Sequence, residues 1–218
     1  MTDLDRRRTA CHEAGHAVAA LLRGDVPAVV SLRRAPGHEG VHIGHGPGRL
    51  DFGGRHARTR PLALADPDLR RVVELAILGI LAGDAAEDVL APRLGRLPLE
   101  PPPDAVAAEV AALPGDGADR LADAEARPPD DYLEGHGGDE LAALELAWRL
   151  VSQRAGPFLV WMQAEARAFV TDHAAAILAC AEELAARTIV PGADLAAIVD
   201  RIEGEGEAHA ETPPPVPA

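Results

Sequence analysis

Two histidines and a glutamate stand within five residues of one another in the stretch TACHEAGHAVAALL, residues 9–22. His12 and His16 are four residues apart, so on a helix both imidazoles lie on one face, one turn apart. Two neutral imidazoles at this spacing can hold a zinc ion with bonds of about 2.0–2.1 Å. Zinc lowers the pKa of a bound water to about 7, and the carboxylate of Glu13 can take the proton. The stretch therefore predicts zinc as the cofactor, with two histidine ligands and Glu13 as the catalytic base of peptide hydrolysis.

A catalytic zinc site needs a third protein ligand. Six side chains elsewhere in the chain have suitable chemistry: Glu74, Glu87, Asp88, Asp139, Glu140 and His173. Sequence spacing alone does not select the third ligand from these six residues. Asp139 follows two glycines at a predicted helix start, where its carboxylate either projects freely or serves only as an N-cap. The competing interpretation of the whole motif is an alanine-rich helix that carries two ordinary histidines.

Composition narrows the classes of function. The 218 residues include 21 basic and 35 acidic side chains, a net charge of −14, so we expect no nucleic-acid partner. The chain contains no lysine, which a P-loop ATPase needs on its phosphates. Two cysteines make no disulfide framework, and the amino-terminal residues lack the apolar core of a signal peptide. The longest apolar run, residues 75–83, is far shorter than the about 20 residues of a membrane span. We therefore expect a cytoplasmic protein without a membrane segment.

Hydrophobic periodicity and turn residues predict mostly helices. Helices are predicted over residues 9–23 (with Thr9 as N-cap), 66–91, 139–154, 157–187 and the end of 190–203. Strands are predicted over residues 25–34 and 39–46. Proline and glycine in residues 92–138 indicate a mobile loop with one short helix, and residues 204–218 are expected to be a disordered acidic and proline-rich tail. Trp148, Trp161 and Phe169 are expected in the core.

The predicted fold class is α+β and predominantly α-helical: a zincin-like HExxH helix with short strands, followed by a helical bundle. The second strand contains Val41, His42 and Ile43. If this strand lies at the edge of the sheet beside the cleft, its backbone can pair with an extended peptide. These three residues are therefore predicted to bind the polypeptide substrate.

Four segments resemble, in the same order, the protease domain of the FtsH-type ATP-dependent zinc metalloproteases. TACHEAGHAVAALL is similar to the zinc helix of that family, in which HEAGHA is typical. VVSLRRA, ILAGDAAEDVL and GGDELAALELAWRLV resemble its strand beside the cleft, its segment with a Gly-x-Ala-Ala-Glu core and its helix that opens with an aspartate. The resemblance covers most of residues 8–202. It implies His12, His16 and Asp139 as zinc ligands and Glu13 as the base of an endopeptidase acting on unfolded or extended polypeptides.

The chain departs from that family in its organisation. Family members carry a membrane anchor and an ATPase ring before the protease domain, whereas this chain begins about ten residues before the motif, so a stand-alone protease domain is expected. Residues 1–203 are assigned to this domain, with 92–138 as an insertion, and Gly138 stands where the family has asparagine. A separate ATPase or a homo-oligomer stays open as a partner. The alternative function is a catalytically silent metal-binding regulatory or assembly module of the same fold, although an intact Glu13 argues against it.

Overall fold

The structure, a computed structural model, describes residues 2–33, 41–44, 67–95, 97, 101–126 and 138–210. This part of the chain is predominantly α-helical with one small sheet, as the sequence predicts. The helices, in chain order, are α1 (Asp3–Leu21), α2 (Pro67–Leu90), α3 (Pro103–Ala111), α4 (Gly117–Ala126), α5 (Gly138–Val151), α6 (Ala155–Asp172), α7 (Ala174–Arg187) and α8 (Gly192–Ala210). The strands are β1 (Pro27–Ser31), β2 (Val41–Gly44) and β3 (Ile189–Pro191). Among the helices described, none is long and apolar enough to cross a membrane.

The sheet has three antiparallel strands in the order β2-β1-β3. Val30 of β1 lies opposite His42 on one side and Val190 on the other. The central strand is buried along its whole length. The third strand was not predicted, because the sequence indicated only a turn before the last helix. Within the described residues, β2 pairs on one side only and so forms an edge of the sheet.

Helix α1 begins six residues earlier than predicted, because Thr2 rather than Thr9 is its N-cap. The backbone N–H of Asp5 donates to Oγ1 of Thr2 at 3.1 Å, and the N–H of Thr2 donates to the Asp5 carboxylate at 3.0 Å. This reciprocal pair is a capping box. Thr9 lies inside the helix and donates its hydroxyl to the carbonyl of Asp5. The prediction of Thr9 as the cap is therefore wrong.

Thr2→Ala is expected to lower the free energy of unfolding by about 1 kcal/mol, because it removes the side-chain acceptor at the start of α1. Urea unfolding followed by circular dichroism measures the difference. Thr171→Ala is the matched control, since Thr171 is exposed on α6 and its hydroxyl donates to the carbonyl of Arg167 one turn earlier. Equal losses in the two variants would contradict the capping role.

Helices α1 and α2 pack closely because small residues line their contact. A Cβ added to Gly15 would lie 2.4 Å from the carbonyl oxygen of Ala82 and 2.8 Å from the Cβ of Ala86. Helix α1 also packs against α7. Large aliphatic side chains fill the space between the helices and are almost fully buried: Ile77, Leu90, Leu150, Ile177, Leu184 and Leu195. Each contributes about 1.5–3 kcal/mol relative to an exposed position.

Residues 92–138 contain more structure than the sequence predicts. Two helices, α3 and α4, stand where one short helix was expected. Leu113 and Leu121 are buried against Val29 and Ile189 of the sheet. The expectation of a single short helix is thus wrong, and apolar side chains spaced along the segment pack it against the sheet. Residues 127–137 lie outside the described part of the chain.

Two of the three aromatic residues expected in the core are on the surface. Trp148 is 45% exposed and Trp161 is 49% exposed, whereas Phe169 packs partly buried against the core. Helix α5 instead turns Ala143 and Ala147 inward, and both are fully buried. The expectation for the tryptophans is wrong, because the close packing of α5 admits small side chains on its inner face.

The carboxyl-terminal elements also differ from the prediction. The single helix expected over residues 157–187 is two helices, α6 and α7, which meet at His173. Nδ1 of His173 lies 2.9 Å from Oε1 of Glu203 on α8, and this contact fixes the corner. Helix α8 continues to Ala210, into the segment for which a disordered tail is expected. Residues 211–218 are not among those described.

Candidate metal centre

Three side chains from two helices converge on one point. His12 and His16 lie one turn apart on α1, and Asp139 lies in the first turn of α5. The two Nε2 atoms are 3.0 Å apart. Oδ2 of Asp139 is 3.1 Å from Nε2 of His12 and 3.0 Å from Nε2 of His16. These three donor atoms form a closed triangle, which we call the ligand triangle.

The outer nitrogen of each imidazole indicates where its proton lies. Nδ1 of His16 donates to the carbonyl oxygen of Gly79 at 2.8 Å. Nδ1 of His12 is buried, makes no hydrogen bond with any described residue, and faces carboxylate oxygens of Asp84 at 3.4 Å and Glu87 at 3.7 Å. Oxygen acceptors beside both Nδ1 atoms favour N–H at these positions in the neutral rings. Both Nε2 atoms then present lone pairs to the triangle.

The ligand triangle fits a divalent cation better than it fits hydrogen bonds alone. One proton shared among these three acceptor atoms can form a hydrogen bond between only two of them at a time. A cation in contact with all three atoms satisfies each of them. In a tetrahedral zinc site with bonds of about 2.0–2.1 Å, neighbouring ligand atoms lie about 3.3–3.4 Å apart. The observed distances of 3.0–3.1 Å are within a few tenths of an ångström of that spacing.

The electrostatics of the centre favour positive charge. Burial lowers the pKa of His16, but the hydrogen bond and charge of Asp139, followed by the charge of Glu13, outweigh it and raise that pKa to about 9. Burial raises the pKa of Asp139, whereas hydrogen bonds from His12 and His16 hold it well below its usual range. Surroundings that stabilise an imidazolium also stabilise a metal cation in place of the proton.

Glu13 lies on α1 between the two histidines in sequence and is only 6% exposed. The charge of its carboxylate contributes to the raised pKa of His16. It does not belong to the ligand triangle. A buried carboxylate beside the centre, but outside the ligand set, is suited to proton transfer rather than to metal binding.

Helix α2 packs directly against the two imidazoles. A Cβ on Gly83 would lie 2.4 Å from Nε2 of His16 and 3.0 Å from Cε1 of His12. No role is predicted for Gly83 from the sequence. The sequence does contain a pattern that indicates a close contact at this face of α2, because four small residues recur there at helical spacing: Gly79, Ala82, Gly83 and Ala86.

The other candidates for the third ligand do not reach the triangle. Oε1 of Glu87 accepts a hydrogen bond from Nε of Arg8 at 2.6 Å, and its Oε2 faces the outer nitrogen of His12 at 3.7 Å. Each of the remaining four has another partner: Glu74 with Arg70, Asp88 with Arg167, Glu140 with Gln163 and His173 with Glu203. Asp84, beside the outer nitrogen of His12, was not among the predicted site residues.

Cys11 precedes His12 but takes no part in the centre. Its side chain is fully buried in the core. Burial, followed by the charge of Glu87, raises the pKa of the thiol to about 12. Metals bind the thiolate, so at neutral pH Cys11 packs as a small apolar residue.

The predicted substrate strand is β2, which contains Val41, His42 and Ile43. It pairs with β1 through Ile43 opposite Val29 and His42 opposite Val30. Both strands contact α1, the helix that carries the two histidines. The edge strand therefore lies in contact with the helix that carries the two histidines.

Comparison with known proteins leaves the family of the chain open. No family model matches it, and no curated protein matches it significantly. A fold alone does not define an activity, so what the chain does must follow from its site.

Proposed function

We propose that the chain is a zinc metallopeptidase of the zincin type that hydrolyses peptide bonds in extended or unfolded polypeptides. The observation that carries this proposal is the ligand triangle of His12, His16 and Asp139 with the buried Glu13 beside it. Two imidazoles and one carboxylate would hold the metal with three protein ligands, which is the number found in catalytic zinc sites.

Each residue has a distinct task in this proposal. The ligand triangle holds the metal, which when bound acidifies water and polarises a carbonyl group. The carboxylate of Glu13 takes a proton from the attacking water and delivers it to the nitrogen of the leaving amine. The carbonyl of Gly79 holds the ring of His16 in the tautomer that presents Nε2.

The edge strand β2, which contacts α1, supports the proposal that the substrate is an extended polypeptide. Among the described residues, no strand pairs with β2 on the side away from β1, so backbone groups of Val41, His42 and Ile43 could pair there with a peptide. A peptide added there would need no folded structure of its own. Because strand pairing requires an extended backbone, it accounts for the proposed preference for unfolded chains.

Metal content and zinc-dependent cleavage test the proposal together. After chelation and dialysis against zinc, the chain is expected to hold one zinc and to cleave a fluorescently labelled unfolded casein, and chelation should stop the cleavage reversibly. Asp139→Ala is expected to lose more than about 100-fold in zinc affinity, because one of three protein ligands is removed. Glu140→Ala, which removes the adjacent carboxylate, is the matched control for zinc binding.

Two outcomes would count against the proposal. Zinc affinity unchanged in Asp139→Ala would exclude the ligand triangle as the metal site. Stoichiometric zinc without cleavage of any unfolded polypeptide would instead favour the silent metal-binding module.

A further inference from the structure

A cavity of about 410 Å³ opens beside the ligand triangle, between α1, α2, α5 and α6. Its volume lies within the range of about 300–1,000 Å³ that is typical of ligand pockets. It adjoins the centre at two points. Asp84, in its wall, is 3.4 Å from Nδ1 of His12, and Glu140, also in its wall, directly follows Asp139.

The ionisable side chains that line this cavity carry more negative than positive charge. Six of its residues are ionisable: Arg8, Asp84, Glu87, Asp88, Glu140 and Arg167. Two arginines against four carboxylates leave a net charge of −2. The remaining lining includes the apolar side chains of Leu81 and Ala85.

Both arginines are already paired. Nε of Arg8 donates to Oε1 of Glu87 at 2.6 Å, and a terminal nitrogen of Arg167 donates to Oδ2 of Asp88 at 2.9 Å. The excess negative charge therefore belongs to the two other carboxylates.

Asp84 and Glu140 carry that excess. Neither forms an ion pair with an arginine among the residues that the structure describes, and Oδ1 of Asp84 lies 3.4 Å from Nδ1 of the neutral His12 ring. Glu140 accepts one hydrogen bond, from the neutral amide of Gln163 at 3.3 Å. A substrate cation would neutralise these two carboxylates, while an acidic side chain would be repelled by them.

We propose that this cavity is the specificity pocket of the enzyme and receives a lysine or arginine side chain of the substrate near the scissile bond. This inference rests on the proposed peptidase function. The methylene stem packs on Leu81 and Ala85, and the charged head reaches Asp84 and Glu140. A basic side chain near the cut is thus the substrate feature that the site selects.

Three peptides that differ at one residue test the pocket. The residue is lysine, norleucine (a similar stem without the charge) or glutamate, in an otherwise neutral sequence. The zinc-loaded protein is expected to cleave the lysine peptide with a kcat/KM at least about tenfold above that of the norleucine peptide, with glutamate lowest. Mass spectrometry should place the cut within one or two residues of the lysine.

Charge-removing variants assign the preference to the pocket. Asp84→Asn and Glu140→Gln are each expected to bring the lysine-to-norleucine ratio of kcat/KM towards one. The ratio cancels any effect that Asp84→Asn has on the chemistry common to all peptides, such as a shift of His12. Glu182→Gln, on the exposed side of α7, is the control and should leave the ratio unchanged.

Peptide binding separates failure of the pocket from failure of the peptidase function. In zinc-loaded Glu13→Gln, fluorescence anisotropy should show the lysine peptide binding at least about tenfold tighter than the glutamate peptide. Cleavage of all three peptides at equal rates would overturn the pocket and leave the function intact. Selective binding that depends on Glu140, without cleavage by the parent protein, would leave the pocket and overturn the function. Neither cleavage nor selective binding would overturn both.

Discussion

Glu13→Gln is expected to lower the rate of peptide hydrolysis by about 10²–10⁴-fold while zinc stays bound, because glutamine has the shape of glutamate but cannot take a proton. The ligand triangle of His12, His16 and Asp139 stays intact in this variant, since none of its three atoms belongs to Glu13. Loss of the nearby negative charge should weaken zinc binding only severalfold. The variant therefore separates catalysis from metal binding.

Initial cleavage rates and zinc content of the same preparation measure this separation. Glu182→Gln makes the same exchange at an exposed position of α7 and should retain the full rate. Cleavage at an undiminished rate in Glu13→Gln would place the general base elsewhere. Loss of zinc together with activity would make Glu13 a metal-binding residue rather than the base.

The motif helix and the helix behind it could be predicted from local signals. The spacing of His12 and His16 requires only a helix to bring the imidazoles together, and α1 provides it. For α2 the predicted range of 66–91 agrees closely with Pro67–Leu90, because proline marks its start and an apolar face follows helical spacing. Both depend on residues that are close in sequence.

The third side chain of the centre could not be chosen from local signals. Asp139 lies 123 residues after His16 and reaches it only because α5 packs against α2 with its first turn at the centre. Spacing along the chain carries no information about such packing. The resemblance to a known family pointed to Asp139, whereas chemistry alone left six candidates open.

Side-chain size was a poor guide to burial in the helical half. Trp148 is exposed while Ala143 and Ala147 on the same helix are fully buried, because small side chains let helices approach closely.

The break between α6 and α7 could not be predicted from the sequence for a different reason. His173 leaves the helical conformation without a glycine or proline to mark the position, and its contact with Glu203 is tertiary.

Gly83→Ala is expected to weaken zinc binding by roughly 100-fold or more, although it adds one methyl group to a residue that is not a ligand. The added Cβ would lie 2.4 Å from Nε2 of His16 and 3.0 Å from Cε1 of His12, both closer than van der Waals contact. Moving α2 away from α1 would relieve this contact only by opening the close packing of Gly15 against Ala82. The two imidazoles must therefore turn, which opens the ligand triangle.

Competition with a chromophoric zinc chelator measures the affinity, and Gly156→Ala is the matched control. That substitution makes the same exchange in α6, where an added Cβ meets no atom within 4 Å. Alanine favours a helix over glycine by about 0.5–1 kcal/mol, so metal-free Gly83→Ala should keep its helical circular dichroism. Loss of zinc from a protein that is still helical would then report on the geometry of the rings. Full zinc affinity in Gly83→Ala would show that the imidazoles do not bind metal from their positions against α2.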